Sequence, residues 1–290
     1  MKEISIPIIN IVPTMRCNLR CKLCSVQAPY YSKPYHPTLD MLYKEADRFF
    51  KVVYSVERFI VSGGEVMMRS DLHEWVTYLS QYADRIGRLE LNSNGTIMPS
   101  EKLLSSLSAY PGPLRLLVDN YGHEISRNAE AITGIFRSLG KADVELRDYY
   151  TENAHFGGWV DYGVYDIEKL HRKNREDTIK SWTTCSSHRS RYFMTMLDGK
   201  IYHCARQIWL VNNGIIPAVS DEVVDFFDDS QTDDDIRAKI SFLYKRIAFT
   251  TCEFCNGLHE DAPRFTPAEQ LTYEEQKNYW RVCNEHGEQV

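Results

Sequence analysis

The chain of 290 residues contains no apolar run near the ~20 residues that a membrane-spanning helix requires. Its N-terminus, Met1-Lys2-Glu3-Ile4, lacks the long apolar core of a secretion signal. These two absences lead us to expect a cytoplasmic protein with no membrane partner. No dense basic stripe is present and the formal net charge is −6, which argues against a nucleic-acid partner. Internal repeats and low-complexity tracts are missing too, so a repeat architecture is not expected. What is there is ordinary for a globular protein: 43% hydrophobic and 26% charged residues, enough chain for one large or two small domains.

Cysteine is not scarce. Eight are present, and in a chain of this size without a leader the prior favours metal binding or catalysis over disulfides. Three lie in Cys17-Asn18-Leu19-Arg20-Cys21-Lys22-Leu23-Cys24, just after an apolar run, Ile8 to Val12, that reads as a strand. Thiolates are the standard ligands of iron–sulfur clusters, and a [4Fe–4S] cluster normally takes four. Three on one short loop leave one iron open, which suits catalysis; a zinc knuckle is the alternative.

The Cys-x3-Cys-x2-Cys loop resembles the signature of the radical S-adenosylmethionine (SAM) enzymes. The resemblance implies that Cys17, Cys21 and Cys24 hold a [4Fe–4S] cluster whose open iron is chelated by the amino and carboxylate groups of SAM. It implies that the reduced cluster cleaves SAM to a 5′-deoxyadenosyl radical, which takes a substrate hydrogen atom. The residue before the third cysteine is usually aromatic in the family and packs near the adenine. Here it is Leu23, so that contact becomes aliphatic.

Later strand ends extend the resemblance. Val56 to Val61 reads as a second strand running into Ser62-Gly63-Gly64-Glu65, where glycine permits close backbone approach and unusual φ values. This is similar to the family's second SAM motif, which implies that the Gly63 and Gly64 backbone and the neighbourhood of Glu65 receive the SAM amino group. Arg88 to Leu91 reads as a third strand, ending in Asn92-Ser93-Asn94-Gly95-Thr96. Relatives use such an Asn-Gly strand end to line the ribose and methionine of SAM; a plain turn is the other reading. Leu114 to Val118 reads as a fourth strand, with Leu117 where relatives often have a SAM-contacting serine. Asp119 follows it and either touches substrate or SAM or caps the next helix. Arg127, read inside a helix from Glu124 to Leu139, lies about where relatives pair an arginine with the SAM carboxylate. Asp143 to Asp148 alternates as a fifth strand, with Arg147 and Tyr149 near its end. Either could bind or deprotonate a substrate alcohol or radical, and a salt-bridged arginine is the plain alternative. Asp119, Arg147 and Tyr149 are the catalytic candidates.

Between these strands, Thr38 reads as the N-cap of a helix carrying Leu42, Ala46, Phe49 and Phe50 on one face. Further helices are expected from Asp71 to Asp84 and from Ser100 to Ala109. The Tyr/Pro-rich stretch from Pro29 to Pro37 is a connector or a lid. Alternation of strands and amphipathic helices argues for a parallel α/β architecture. The resemblance implies a partial (β/α)6 barrel over residues 1–180.

The second half carries Cys185, Gly199 and Cys204 at spacing x13 and x4, then Cys252-Glu253-Phe254-Cys255. Tyr192 to Leu197 and Lys200 to His203 read as a hairpin around Asp198-Gly199. Four such cysteines suit zinc or an iron–sulfur cluster. The pattern resembles the opening of the SPASM and twitch domains, and implies one auxiliary [4Fe–4S] cluster in a small α+β domain at 181–262. Cys283 reads as a buried structural cysteine in a C-terminal helix, Pro267 to Cys283, within 263–290. The acidic run from Asp225 to Asp235 reads as a loop capping a helix from Ile236 to Ala248.

The resemblance thus implies a radical SAM oxidoreductase of the aminocyclitol dehydrogenase type. Its substrate would be a sugar-like or aminocyclitol small molecule, its auxiliary cluster would take up an electron, and its electron donor would be a flavodoxin or ferredoxin. The alternatives are a ribosomal peptide maturase making crosslinks or epimers, and a zinc-stabilised scaffold without catalysis.

Overall fold

Apolar strands alternating with one-sided helices must bury the sheet under the helices, and the first half of the chain does so. The computed structural model describes residues 3–189, 194–219 and 221–287, side chains beyond 281 excepted. The chain divides into two compact units, Met1–Asn18 with Pro34–Gly157, and Leu19–Lys33 with Gly158–Val290. Among the described residues no helix is long and apolar enough to cross a membrane.

The first unit holds five parallel strands: β1 (Ile4–Ile11), β2 (Val53–Val61), β3 (Ile86–Ser93), β4 (Leu114–Asn120) and β5 (Ala142–Asp148). They lie in sequence order, and helices α1 (Leu39–Val52), α2 (Leu72–Leu79), α3 (Glu101–Ala109) and α4 (Ala129–Ser138) connect them. Thr38 starts α1 as expected, its side chain accepting from Met41 N, with Asp40 in the first turn where the helix dipole favours an acid. Ser100 does the same for α3 through Leu103 N. The apolar face of α1 is fully buried, and Phe49, Phe50, Phe59 and Trp75 pack together there. Each such ring contributes roughly 1.5–3 kcal/mol of burial.

The opposite face of these strands is charged. Arg58 grips the buried Glu90 carboxylate at 2.7 and 2.9 Å, and Arg88 adds a bond at 2.8 Å. Burial alone raises the Glu90 carboxyl, but the two arginines outweigh it and hold it below the ordinary carboxylate range. Register places Asp119 on β4 directly beside Arg147 on β5.

Two details differ from the sequence reading. The helix after β4 begins at Ala129 rather than Glu124, because a turn at Gly122 (φ 90°) takes Ile125 N and Ser126 N onto the Gly122 carbonyl first. Arg127 therefore sits on that turn, exposed, and not in a helix. The described residues also hold five of the six barrel strands. Residues 149–174 form turns, bends and short 3-10 segments, broken by Gly157, Gly158 and Gly163 at positive φ.

The second unit contains α5 (Arg175–Thr184), α6 (Ser186–Arg189), an antiparallel trio of β6 (Met194–Leu197), β7 (Lys200–Tyr202) and β8 (Val223–Asp225), then α7 (Ala205–Asn212), α8 (Asp233–Leu243) and α9 (Tyr273–Gly287). Asp198 (φ 52°) and Gly199 (φ 66°) make the expected tight turn between β6 and β7. Tyr192 and Phe193, read as part of that hairpin, lie outside the described residues, as does the Cys283 side chain. The acidic run opens α8 earlier than expected, at Asp233, through a capping box between Thr232 and Asp235. The C-terminal helix opens later, at Tyr273 rather than Pro267. Ala268 adopts a left-handed φ of 55°, which no helix accommodates, and the residues after it run extended. The core of this unit gathers Tyr30, Tyr162, Val164, Tyr165 and Trp209, with the Trp209 indole donating to Val164 O at 3.0 Å.

Candidate functional site

Three sequence-predicted segments meet at the carboxyl ends of β1 to β3. Beyond β1 the chain runs alongside the glycine pair: Gly64 N donates to Thr14 O at 2.8 Å and Glu65 N to Arg16 O at 2.9 Å. The approach is so close that a Cβ on Gly63 would stand 2.5 Å from Thr14 O, and one on Gly64 would collide with the Arg16 carbonyl. Neither glycine has a positive φ, so the requirement here is space and not backbone conformation. Glu65 is buried; its oxygens accept from Met67 N at 2.9 Å and Asn94 N at 2.7 Å. Burial pushes its carboxyl up to about 7 against the pull of these bonds.

Asn94 ties this corner together. Its side-chain N–H groups reach Cys17 Sγ at 3.7 Å and Asn18 Oδ1 at 3.1 Å. Ser93 Oγ accepts from Gly95 N at 3.2 Å, which shapes the turn. Asn92 Oδ1 is buried and has no hydrogen-bond partner among the described residues, so an acceptor is left for a donor from outside the protein. This corner therefore fits a polar ligand with hydroxyl or ammonium donors held next to a thiolate-bound group. Arg127 is exposed on its turn, and no described contact ties it to this corner.

One strand further, Arg147 Nε donates to Asp119 Oδ1 at 2.7 Å. The salt-bridged reading of Arg147 is thus realised, with Asp119 as its partner and not a helix cap. Both side chains are 17% exposed. Tyr121 OH donates to Asp119 Oδ2 at 3.3 Å, and the Tyr149 ring lies 5.3 Å from both Tyr121 and His155. Burial raises the Asp119 carboxyl although Arg147 pulls it down. Burial, with Arg147 nearby, keeps His155 more neutral than usual. Tyr121 carries no spacing signal in sequence, since it stands in an irregular segment.

Cys21 and Cys24 belong to the second unit, Cys17 to the first. Cys24 sits at the head of a tight turn, with Gln27 N donating to its carbonyl at 3.0 Å, and the backbone N–H groups of Val26, Ala28 and Gln27 pull its thiol down in part. Burial still pushes its thiol up, so those donors await a thiolate. Cys21 Sγ accepts from Gln270 Nε2 at 3.3 Å. N–H groups aimed at sulfur are what a thiolate-ligated cluster needs, and this donor set fits one.

Cys185, Cys204, Cys252 and Cys255 line one cavity, together with His203 and Arg206. Leu258 N donates to Cys185 Sγ at 3.4 Å and Gly257 N to Cys255 Sγ at 3.3 Å. Burial pushes the Cys255 thiol up to about 11, and Cys252 is raised further. The buried Arg206 guanidinium, lying 4.6 Å over the Tyr162 ring, favours negative charge in the cavity. His203 is stacked on Phe249 at 3.9 Å and is kept neutral by burial. Among the described residues no three Cys, His, Asp or Glu side chains gather closely enough around one point for a single metal ion.

Residues 11–125 match the family described as the Radical SAM superfamily. An AdoMet-dependent heme synthase from Oleidesulfovibrio alaskensis is 30% identical over 126 residues, 42% of this chain and 30% of that protein. A GTP 3′,8-cyclase from Syntrophomonas wolfei is 23% identical over 177 residues, 59% of this chain and 53% of that protein. The chain thus spans about half or less of the length of these curated relatives. Among solved structures, BtrN in complex with AdoMet and 2-DOIA is similar with a TM-score of 0.57 and 13% identity, covering 93% of this chain and 100% of that one. That likeness is one of fold.

Proposed function

We propose that the chain is an oxidoreductase acting on a sugar-like or aminocyclitol small molecule, a reading supported by the match of residues 11–125 to the Radical SAM superfamily, whose members use a [4Fe–4S] cluster and SAM. The observation that carries this reading is the convergence on Asn94, which bonds both Glu65 and Cys17 and so draws the second and third strand ends to the start of the cysteine loop. Cys17, Cys21 and Cys24 would hold the SAM-binding cluster, and Cys185, Cys204, Cys252 and Cys255 an auxiliary one. Four thiols lining one cavity supply the full thiolate set that a [4Fe–4S] cluster takes. When bound, these groups and SAM supply hydrogen-atom abstraction from carbon and uptake of the second electron.

The protein's share is positioning. Gly63, Gly64, Glu65, Asn92, Ser93 and Asn94 offer backbone and side-chain partners to the polar groups of SAM. Arg147 and Asp119 offer a donor and an acceptor to adjacent substrate hydroxyls, a pattern matched to polyols. Asp119, its carboxyl raised by burial, is suited to receive the hydroxyl proton that must leave when an alcohol carbon loses two electrons. The fold neighbour described as holding AdoMet and 2-DOIA supports a small-molecule substrate. A flavodoxin or ferredoxin would supply the electron that starts each cycle.

The test is SAM cleavage by anaerobically reconstituted protein under dithionite, with a panel of aminocyclitols and sugars. We expect 5′-deoxyadenosine from the wild type and none from Cys17/Cys21/Cys24→Ala. We expect a ketone product that Arg147→Met lowers by at least about tenfold, while SAM cleavage persists. Turnover of peptides with no small-molecule oxidation would overturn the substrate class.

A further inference from the structure

A short piece of the C-terminal region, residues 268–271, is laid antiparallel along the cysteine loop. Lys22 N donates to Glu269 O at 2.8 Å, and Leu271 N donates to Arg20 O at 2.7 Å. Cys21 and Gln270 face each other as the bridge pair between these bonds. Arg20 Nε adds a bond to Leu271 O at 3.1 Å, and Lys22 Nζ pairs with Glu269 at 2.7 Å. The Gln270 side chain turns back into the same small ladder.

Its amide orientation is fixed from two sides. Arg20 N–H needs an acceptor and finds Gln270 Oε1 at 2.7 Å. Ala268 O needs a donor and finds Gln270 Nε2 at 2.7 Å. Exchanging oxygen and nitrogen would set donor against donor and acceptor against acceptor, so the amide has one allowed orientation. An amide nitrogen carries two hydrogens, and the second is directed at Cys21 Sγ, 3.3 Å away. Ala268, fully buried, pays for this turn with its left-handed φ of 55°. A non-glycine residue keeps such a conformation only where the surroundings over-determine it.

We propose that Gln270 is a positioning residue for the catalytic cluster: its N–H···S bond to Cys21 raises the cluster's reduction potential and fixes the Cys21 rotamer. The inference rests on the reading of Cys21 as a cluster ligand. Reduction adds negative charge to the cluster and its sulfurs, so a donor at sulfur stabilises the reduced form more than the oxidised one. Without that donor the cluster is harder to reduce at a given ambient potential. Gln270 thereby couples the far end of the chain to the ease of the first electron transfer.

The test uses the full-length reconstituted protein and two neutral variants that cannot donate, Gln270→Met and Gln270→Leu, so that poor folding of one leaves the other. Iron and sulfide per chain are measured first. The reduced fraction of the cluster whose electron paramagnetic resonance signal responds to SAM is then followed against ambient potential. We expect iron near the wild-type level and a reduced fraction about tenfold lower at fixed potential, equivalent to about 59 mV for one electron. The signal that does not respond to SAM should keep its potential. A reduced fraction within twofold of wild type in a loaded variant overturns the proposal. Equal shifts of both signals overturn it as well, because they report general loosening. If Cys21→Ala retains the SAM-responsive signal, the ligand reading itself has failed, and the Gln270 titration is not then read as support.

Discussion

Glu65 sets the pH behaviour expected at the scale of a single side chain. It is 1% exposed, and burial raises its carboxyl from 4.5 to about 7 even though two backbone N–H groups face it. A carboxyl raised in the folded state holds its proton more tightly there than in the unfolded chain. Its contribution to stability is therefore full below about pH 4.5 and is lost as pH climbs toward 7. The shift corresponds to about 3 kcal/mol. Urea unfolding of the metal-free protein should show the wild type losing that much relative to Glu65→Gln between pH 4.5 and 7.5, with a constant difference above. A difference that does not change across this window would show that Glu65 is ionised throughout.

At the scale of elements, the glycine pair between β2 and its neighbouring turn has a requirement that is separable from any ligand. A methyl group at residue 64 meets the Arg16 backbone, which cannot rotate away as a side chain could. Gly64→Ala should cost at least about 3 kcal/mol in the metal-free protein, measured by urea unfolding, and reduce iron loading only as a consequence. A cost under about 0.5 kcal/mol, with loading lost, would mean the glycine serves the ligand alone. The same scale explains what could be read beforehand. The first unit's strands, the Thr38 cap, the helix near Ser100 and the Asp198-Gly199 turn are encoded within a few residues of themselves, so pattern was enough. The glycine pair was legible, but sequence offered both close approach and unusual dihedrals as its reason, and the structure uses only the first. The Asp119–Arg147 pair was half legible: each residue stood at a strand end, and only the parallel register of β4 on β5 brings them together. The helix before Leu139 started late because the Gly122 turn competes for its first bonds. Gln270 was illegible, since its partner lies 249 positions away and a glutamine inside an expected helix carries no signal.

For the whole molecule, the four cysteines of the second unit imply a strong link between loading and stability. They come from the end of α5, the start of α7 and the segment before residue 256, so a bound cluster closes a loop of roughly seventy residues. Loop closure of that length restricts the unfolded chain by about 4 kcal/mol. Ligation itself works against the thiols' protons, which burial holds to about 11 at Cys255 and which must leave before the sulfurs bind. Loading should therefore release protons and weaken as pH falls. The prediction has two arms. Wild-type protein should carry about eight irons, with Cys252/Cys255→Ala carrying about four and still cleaving SAM. Stripping the wild type with a chelator should lower its melting temperature on the order of ten degrees, while the double variant, already without that crosslink, should shift less. About four irons in both proteins would remove the auxiliary cluster from the scheme and leave the second electron without an acceptor. Zinc at these thiols, with SAM cleavage intact, would make the four-cysteine cavity a structural clamp and move the redox chemistry wholly to the first cysteine loop.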